Sequence, residues 1–221
     1  MPDPSRARHR QSGPTRSLPI PTLSAAEYNV ALGLWSLQKG VASAAWGLML
    51  ILDVGCGKKK HVGAIGLDRQ PGSDADVLCE LTRFPWPLRD SCADRIVLSH
   101  FLEHQPDVLR AMAEVHRVAK SGAEVVVITP HFSSLDSYTD PTHLAHLGFR
   151  SFEYFAQGEF ENFTYGHGGF RILDRRLAFG HNLLLDNLGR LIAGISTDFY
   201  EKHFAWIFPA RNLSCRLAVV K

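Results

Sequence analysis

Short apolar runs alternate with polar turns through the middle of the chain. They predict strands at residues 48–52, 64–67, 94–99 and 124–129. Residues 107–119 instead repeat apolar side chains at helical spacing, with Leu109, Met112 and Val115 on one face. Buried strands that alternate with helices predict a mostly parallel sheet covered on both faces.

The pattern changes after Pro130. Residues 131–170 are rich in His, Phe, Gly, Ser and Asp and have weak periodicity. An irregular segment of this length inside a compact domain is usually functional. Residues 171–179 and 214–220 predict two late strands. The predicted fold class is therefore α/β: a doubly wound, mostly parallel sheet with an antiparallel edge strand.

The N-terminal part differs from the rest of the chain. Residues 1–22 contain five prolines and few apolar side chains, which predicts a disordered tail. The prolines disfavour an amphipathic organelle-targeting helix. Residues 24–50 have helical character and begin with a capping-box pattern, Ser24 and Glu27. We predict a tail at 1–22 and a single domain over 23–221.

Composition and charge narrow the function classes. The chain is 45% apolar and 21% charged, an ordinary globular composition. Four arginines against one aspartate give residues 1–20 a charge of +3, so the overall +2 leaves −1 for the remaining chain. A near-neutral body shows no broad basic surface, and a nucleic-acid partner is disfavoured.

The cysteines and the longest apolar run bear on compartment. None of the four cysteines has CxxC spacing, which excludes a zinc knuckle or a thioredoxin-type motif. Isolated cysteines are typical of a reducing compartment, so we predict a cytoplasmic protein. The longest apolar run, residues 41–52, is shorter than the roughly 20 residues that span a bilayer.

The strongest local motif is Leu-Asp-Val-Gly-Cys-Gly at residues 52–57, where a predicted strand runs into a Gly-x-Gly turn. Glycines let the backbone approach a ligand that a side chain would exclude. Ligands of open parallel sheets bind at the carboxyl ends of the strands. A tight strand-to-helix turn without a ligand would give the same pattern.

Two kinds of ligand are compatible with this turn. A dinucleotide needs a third glycine and a helix whose N-terminus holds the pyrophosphate, as in a nicotinamide oxidoreductase. Here Lys59 occupies the third glycine position, and the ten residues 55–64 barely admit a crossover helix. A smaller adenosine ligand needs no such helix. Asp68, which ends the second predicted strand, suits the hydroxyls of a ribose.

At this point the sequence resembles the class I S-adenosylmethionine-dependent methyltransferases, in particular the compact type 11 group. The matching stretches are LDVGCG (52–57), GLD (66–68), ELTRFPWP (80–87), DRIVLSHFLEH (94–104), EVHRVAKSGAEVVVITP (114–130), DPTH (140–143) and the C-terminal residues 199–221. The resemblance implies a Rossmann-like, seven-stranded-type sheet and S-adenosyl-L-methionine as the cofactor.

The resemblance also implies roles for individual positions. The cofactor-binding positions are Asp53, Gly55, Gly57, Asp68, Glu80, Leu81, Ser99 and His100. The first three line the methionine end of the cofactor, and Asp68 binds the ribose. Glu80 and Leu81 meet the adenine, while Ser99 and His100 face the methionine and the substrate. Glu103 and His104 belong to a Leu-Glu-His motif, which in the family caps the next helix. The alternative is a purely structural role at the start of a helix.

Methyl transfer to oxygen or nitrogen can need a base near the acceptor. The catalytic candidates are His100, His131, Asp140 and His143. For the three beyond residue 130 three alternatives stay open. They contact the substrate or act as a base, they bind a metal together with His146, or they buttress a loop by hydrogen bonds. No metal ligand is assigned, and residues 131–170 are expected to form an acceptor-side insertion or lid.

Two functions from different classes follow. The first is a methyltransferase that acts on a small-molecule or glycan-type acceptor by in-line displacement. The second is a non-catalytic, cofactor-binding relative that serves as a partner subunit. Fold resemblance does not name the acceptor.

Overall fold

A computed structural model of the protein describes residues 49–156, 169–180 and 183–221. The predicted tail at 1–22 and nearly all of the predicted helix at 24–50 lie outside these residues. Within them seven strands form one sheet. They are β1 (Ile51–Val54), β2 (Ile65–Asp68), β3 (Val77–Leu78), β4 (Ala93–Ser99), β5 (Ala119–Pro130), β6 (Phe170–Ala178) and β7 (Asn212–Val219).

The sheet has the strand order β3-β2-β1-β4-β5-β7-β6. β1 pairs in parallel with both β2 and β4, and β2–β3 and β4–β5 are parallel as well. β7 runs antiparallel to both of its neighbours, β5 and β6. The predicted mostly parallel sheet with an antiparallel edge is confirmed, and the reversed strand lies one position in from that edge.

Four α-helices and two 3-10 helices complete the described part of the chain. They are α1 (Val108–Val118), α2 (Leu135–Thr139), α3 (Leu183–Ile195), α4 (Thr197–His203) and the 3-10 helices Leu102–His104 and Ser151–Phe155. The predicted helix at 107–119 is α1, and Asp107 caps it by accepting a hydrogen bond from the backbone N–H of Arg110. None of the described helices has the length and hydropathy that crossing a membrane requires.

The predicted alternation of strands with helices holds only from β4 onward. Residues 55–92, all of which the structure describes, contain no helix, and the chain joins β1, β2, β3 and β4 through turns. The prediction that a crossover helix barely fits between the first two strands is confirmed. The expected cover of helices on both faces is not supplied by this part of the chain.

A buried ion pair fixes the long turn between β3 and β4 on helix α1. Glu114 is only 7% exposed, and its Oε1 accepts the backbone N–H of Trp86 at 2.6 Å. The Arg117 guanidinium donates to Glu114 and to the backbone carbonyl of Leu88 at 2.9 Å. A buried carboxylate needs a paired charge, which Arg117 supplies to Glu114. Together these contacts hold the helix-free connection between β3 and β4 against α1.

Strand β5 is longer than its apolar run predicts. It begins at Ala119, directly after α1, although its apolar core starts only at Val125. Its exposed first residues include Gly122 with a positive φ of 78°. Ser121 and Gly122 lie inside the strand, because the pairing with β4 already begins at Ala119, opposite Ala93.

Candidate functional site

The turn after β1 is held against β2 by backbone hydrogen bonds. Gly55 and Gly57 have positive φ angles of 74° and 54°, the region that favours glycine. The N–H of Gly55 donates to the carbonyl of Leu67 at 2.8 Å. An ideal Cβ on Gly55 would lie 2.8 Å from Cδ2 of Phe101, whereas one on Gly57 would meet no atom within 4 Å. The turn is therefore packed on the Gly55 side and open on the Gly57 side.

Asp68 ends β2 beneath this turn and is 8% exposed. Its Oδ2 accepts the backbone N–H of Gly57 at 2.9 Å, and its Oδ1 accepts the N–H of Gln70 at 2.8 Å. A carboxylate has about four acceptor sites, so each oxygen can accept another hydrogen bond. Asp68 thus orders the glycine turn and still offers both oxygens to the hydroxyls of a ligand.

Asp53, near the end of β1, is almost completely buried. Its Oδ2 accepts the backbone N–H of His61 at 2.6 Å, which closes the connection between β1 and β2. Burial raises the pKa of the Asp53 carboxyl, and the hydrogen bond from His61 partly opposes that rise. No described residue donates a hydrogen bond to Oδ1 in this structure, so that oxygen is left for a ligand.

The raised pKa of Asp53 leads to a stability prediction. A folded-state pKa above the unfolded value contributes stability at low pH, and this contribution is lost as the pH rises through the folded pKa. At pH 7 the ionised carboxylate therefore opposes folding. We expect Asp53→Asn, which keeps an oxygen for His61, to leave the free energy of unfolding unchanged or higher by up to about 1 kcal/mol.

Urea unfolding of both proteins at pH 5 and pH 8 measures this effect. The free energy of unfolding of the variant, relative to that of the natural protein, should be higher at pH 8 than at pH 5. A loss of more than about 1 kcal/mol at pH 8 would instead mean that the charge itself stabilises the turn.

Glu80 and Leu81 follow β3 but differ in environment. Glu80 is exposed, and Thr82 donates to its carboxylate from the backbone N–H at 3.2 Å and from the hydroxyl at 2.9 Å. These hydrogen bonds lower the pKa of Glu80. Leu81 packs in the main core, and its carbonyl accepts the indole N–H of Trp86. Of this pair, only Glu80 presents its side chain to the surface.

His100 stands just beyond β4 in a strained backbone conformation. Its φ is 52°, uncommon for a residue other than glycine, and its N–H donates to the carbonyl of Ile128 at 2.8 Å. Its imidazole is 45% exposed, with Nδ1 3.0 Å from Oε1 of Glu103. The other oxygen of that buried carboxylate accepts the hydroxyl of Thr129 at 3.2 Å. Strain at this sheet edge is typical of a functional residue.

His131 is fully buried at the end of β5. The backbone N–H of Ser133 donates to its Nδ1 at 3.3 Å, so the proton resides on Nε2, which lies 2.8 Å from Oε1 of Glu201 on α4. Glu201 also accepts the N–H of Phe149 at 2.6 Å. With both ring nitrogens bonded and no exposed surface, His131 has no lone pair for an acceptor, which favours the buttress alternative over a base.

The Asp-Pro-Thr-His turn lies beside the 3-10 helix that follows β4. Asp140 Oδ1 accepts the backbone N–H of Thr142 at 2.8 Å and its hydroxyl at 2.7 Å, and these bonds lower the pKa of Asp140. The rings of His143 and His104 have centroids 4.6 Å apart. Asp140 and His143 are therefore close to His104 and, through it, to Glu103.

The structure does not assemble the four-residue metal set that includes His131 and His146. Both nitrogens of His131 are occupied, while His146 stacks on Tyr138 and contacts the Ser137 hydroxyl at 2.9 Å through Nδ1. Within the described ranges one other group has the required proximity, a carboxylate oxygen of Glu103 with one ring nitrogen each of His104 and His143. Only His143 is common to both sets.

The first part of the predicted lid is tied to the ends of β4 and β5. The N–H of Phe132 donates to the carbonyl of Leu147 at 2.9 Å. The N–H of Leu144 donates to the carbonyl of Glu103 at 2.7 Å. Phe152 and Phe155 pack in the core, the commoner fate of such aromatic residues. Residues 157–168 of this segment lie outside the described part of the chain.

Several contacts at this site were not predicted from the sequence. Phe101 packs on Gly55, Glu201 pairs with His131, and the Glu103 carboxylate contacts both His100 and Thr129. Only the spacing of three between His100 and Glu103 gives a local signal. The other pairs come from distant parts of the chain, and their proximity follows from strand order.

The sheet edge fits S-adenosylmethionine better than a dinucleotide. The glycine turn is open at Gly57, Asp68 has acceptor capacity left, and Asp53 Oδ1 is free of hydrogen bonds from described residues. No helix N-terminus follows the turn to hold a pyrophosphate, since residues 55–92 contain no helix.

Comparison with known proteins agrees with this geometry. Residues 52–127 match a protein-family model described as a methyltransferase domain. The match covers the glycine turn, Asp68, the end of β4 and helix α1. No curated protein matches the sequence.

Solved structures show the same fold at low sequence identity. A SAM-dependent methyltransferase from Archaeoglobus fulgidus is 19% identical, covers 78% of this chain and 86% of its own, and has a TM-score of 0.53. A Haloferax volcanii complex of the Trm112 methyltransferase activator with a protein described as a methyltransferase gives 12% identity, coverage of 88% and 90%, and a TM-score of 0.55. An S-adenosylmethionine-dependent methyltransferase from Mesorhizobium loti is 15% identical, covers 78% of this chain and 91% of its own, and has a TM-score of 0.50.

Sheet order, glycine turn and domain match point to the same conclusion. Residues 52–127 match a methyltransferase domain, the described part of the chain has the fold of solved S-adenosylmethionine-dependent methyltransferases, and its sheet edge suits S-adenosylmethionine as the cofactor.

Proposed function

We propose that this methyltransferase acts on a small-molecule or glycan-type acceptor with an oxygen or nitrogen nucleophile. The observation that carries the proposal is the exposed imidazole of His100, at the same carboxyl edge of the sheet as the glycine turn and Asp68. When bound, S-adenosylmethionine supplies a methyl group on a positively charged sulfur for in-line displacement. The protein's part is to bind and orient both reactants.

The cofactor-holding residues divide by strand. Asp68, the last residue of β2, is proposed to accept the ribose hydroxyls with the lone pairs that Gly57 and Gln70 leave free. Asp53 and the open side of the glycine turn are proposed to line the methionine end. Glu80 and Leu81 lie beyond β3, the next strand outward, and are proposed to meet the adenine.

On the acceptor side, Glu103 fixes the direction of the His100 ring. A carboxylate oxygen 3.0 Å from Nδ1 accepts that nitrogen's proton in a hydrogen bond, which leaves the Nε2 lone pair for the acceptor. Nε2 is then oriented to accept a hydrogen bond from a hydroxyl or N–H and to hold that nucleophile in place. The hydroxyl of Thr129 keeps the second carboxylate oxygen satisfied.

The surroundings support a small, ring-containing acceptor. Tyr138 and Trp206 are 53% and 66% exposed, and their ring centroids lie 6.4 Å apart. Exposed aromatic rings beside the polar side chains of segment 140–146, which are Asp140, Thr142, His143 and His146, combine an apolar surface with polar anchors, as small-molecule sites do. The body's charge of −1 supports an uncharged acceptor over a nucleic acid. Four free cysteines among the described residues support the proposed cytoplasmic location.

A second candidate is a partner subunit, and one observation favours it. Helix α3 exposes Leu184, Leu188, Leu191 and Ile195, each 42–78% exposed and spaced four, three and four residues apart. This is the spacing of a helix–helix seam. The Haloferax structure of the same fold is a complex with the Trm112 methyltransferase activator. Under this alternative the chain binds the cofactor but transfers no methyl group by itself.

Transfer of labelled methyl groups from S-adenosylmethionine to a panel of phenols, hydroxylated rings and mono- and oligosaccharides tests the first candidate. We expect turnover with at least one class, and a drop of at least about tenfold in turnover for His100→Ala because the acceptor loses its positioning contact. Affinity for S-adenosylhomocysteine should stay within about twofold. His203→Ala, an exposed histidine on α4, is the matched control.

The outcome separates the two candidates. Methyl transfer that His100→Ala leaves unchanged would remove His100 from the acceptor site. Tight S-adenosylhomocysteine binding with no transfer to any class, together with co-purification of a second protein that Leu188→Glu releases, would support the subunit instead.

A further inference from the structure

Three metal-ligating side chains converge beside the acceptor site. Glu103 and His104 belong to the 3-10 helix after β4, and His143 comes from the Asp-Pro-Thr-His turn. A carboxylate oxygen of Glu103 and one ring nitrogen of each histidine lie within 4.8 Å of one another. Donor atoms about 2.1 Å from a shared ion lie roughly 3–4 Å apart, so a small side-chain adjustment closes the set. We propose that these three residues bind one divalent transition-metal ion of the Zn²⁺ class.

The hydrogen bonds of His104 leave Nε2 as its ligand atom. The Thr142 hydroxyl donates its proton to Oδ1 of Asp140 at 2.7 Å. Towards Nδ1 of His104, 3.0 Å away, that hydroxyl oxygen can therefore only accept, and the Thr142 carbonyl at 3.3 Å also only accepts. Nδ1 must carry the proton, and Nε2 keeps its lone pair.

His143 has the same arrangement. Its Nδ1 faces the carbonyl of Ser137 at 3.2 Å, so this nitrogen donates and Nε2 holds a lone pair. Metal-ligating histidines almost always donate their other N–H to a carbonyl or carboxylate in this way. Both histidines of the group are thus held in the tautomer that binds a metal.

Nε2 of His143 accepts no hydrogen bond from the described residues. Its side chain is only 8% exposed, and the nearest charged group to Nε2 is Oδ2 of Asp140 at 3.8 Å, beyond hydrogen-bond distance. The Nε2 lone pair is therefore available to a ligand. A metal ion would bind Nε2, and the Asp140 carboxylate would then be an outer-sphere partner.

Glu103 provides the negative charge. It is 1% exposed, and among the described residues no lysine or arginine forms an ion pair with it. His100 and Thr129 use one acceptor site on each oxygen, which leaves further lone pairs on both. Because a buried carboxylate is unfavourable without a cation, a divalent ion would offset its desolvation.

The donor set indicates which metal binds. Two imidazoles with one carboxylate suit Zn²⁺ and other imidazole-binding divalent ions, whereas Mg²⁺ and Ca²⁺ prefer oxygen donors. Three protein ligands also leave an open position, as in catalytic rather than structural zinc sites. Without a metal, the same contacts reduce to a hydrogen-bonded cluster with packed rings. The proposal does not depend on the identity of the acceptor.

Metal titration of the metal-free, full-length protein tests the site. We expect Zn²⁺ calorimetry to show one tight equivalent, Co²⁺ to give visible absorption bands of a low-coordinate nitrogen–oxygen site, and Mg²⁺ at the same concentration to give no response. His104→Ala and Glu103→Gln should each weaken the Zn²⁺ equivalent at least 100-fold. His203→Ala and His116→Ala, histidines outside the group, should leave it unchanged.

Each outcome decides the proposal. His104 is only half-buried, so His104→Ala should fold, and circular dichroism checks this. Thr142→Val, which removes only the outer hydroxyl, should weaken binding about 10-fold or more by freeing the His104 ring. Zn²⁺ binding that His104→Ala and Glu103→Gln leave unchanged would place the metal on other histidines of the chain. That result, or the absence of any tight equivalent, would overturn the site.

Discussion

Gly55→Ala is expected to lower the free energy of unfolding by about 3 kcal/mol and to abolish most cofactor binding. An alanine in the left-handed region costs about 1–2 kcal/mol, and a methyl group forced into a filled core costs about 1–3 kcal/mol more. Here the methyl carbon would lie 2.8 Å from Cδ2 of Phe101. Phe101 is 4% exposed and packs edge-on against Trp86, so its ring has little room to move.

Gly63→Ala is the matched control. Gly63 lies in the same connection with a similar φ of 79°, but an added Cβ would meet no atom within 4 Å. This variant therefore has the backbone strain without the collision, and its loss should stay near 1–2 kcal/mol. Thermal and urea unfolding, with calorimetry against S-adenosylhomocysteine, measure both effects. Equal losses in the two variants would mean that Phe101 yields and that close packing is not what requires glycine at position 55.

The sequence predicted the part of the fold that depends on short-range patterns. Buried runs located six of the seven strands to within a few residues, and Asp107 with its helical apolar spacing located α1. β3 was missed because its two residues, Val77 and Leu78, are too short to show a period. Helices α3 and α4 were also missed, although the spacing of Leu184, Leu188 and Leu191 is a helical signal.

The sequence predicted the position of those site residues that lie at the carboxyl ends of parallel strands. Asp53 and Asp68 lie at the carboxyl ends of β1 and β2, and His100 directly follows β4, so their shared edge follows from the α/β pattern. The convergence of His104 with His143, 39 positions later in the chain, could not be predicted in this way. It depends on backbone hydrogen bonds from Leu144 and Ala145 to the carbonyl of Glu103. Such loop contacts have no periodic signal in one sequence.

His100 and His131 have the same position relative to a strand in the sequence, but they differ in burial. His100 and His131 each follow a strand of the same sheet, and both were candidates for catalysis. His100 is 45% exposed with one ring nitrogen bonded, whereas His131 is fully buried with both nitrogens bonded. The difference arises because Glu201 of α4 contacts Nε2 of His131 in addition to the bond at Nδ1, whereas the 3-10 helix after β4 contacts His100 at Nδ1 alone. A ligand can reach only the first of the two.

Asp68→Ala is expected to weaken S-adenosylhomocysteine binding by about 1.5–3 kcal/mol, roughly 10- to 150-fold. The carboxylate has two functions that this change removes together. It is positioned to accept the ribose hydroxyls, and it accepts the backbone N–H groups of Gly57 and Gln70. Loss of the second function should also lower the free energy of unfolding by about 1–2 kcal/mol, because two amides lose their acceptor.

Asp68→Asn distinguishes the two functions. The asparagine keeps the size of the side chain and one oxygen acceptor, so the Gly57 N–H can stay bonded and stability should largely return. The charge-assisted hydrogen bonds to the ribose are still lost, so affinity should remain at least about tenfold weaker. Asp74→Asn is the matched control, since Asp74 is an exposed carboxylate in the turn that follows Asp68. Its affinity should stay within about twofold.

Calorimetry and thermal unfolding on the same preparations give both quantities. Recovery of affinity together with stability in Asp68→Asn would mean that Asp68 acts only by ordering the glycine turn. Unchanged affinity in both Asp68 variants would move the ribose to another carboxylate. Asp53 would then be the next candidate, because its Oδ1 accepts no hydrogen bond from the described residues and lies on the adjacent strand of the same edge.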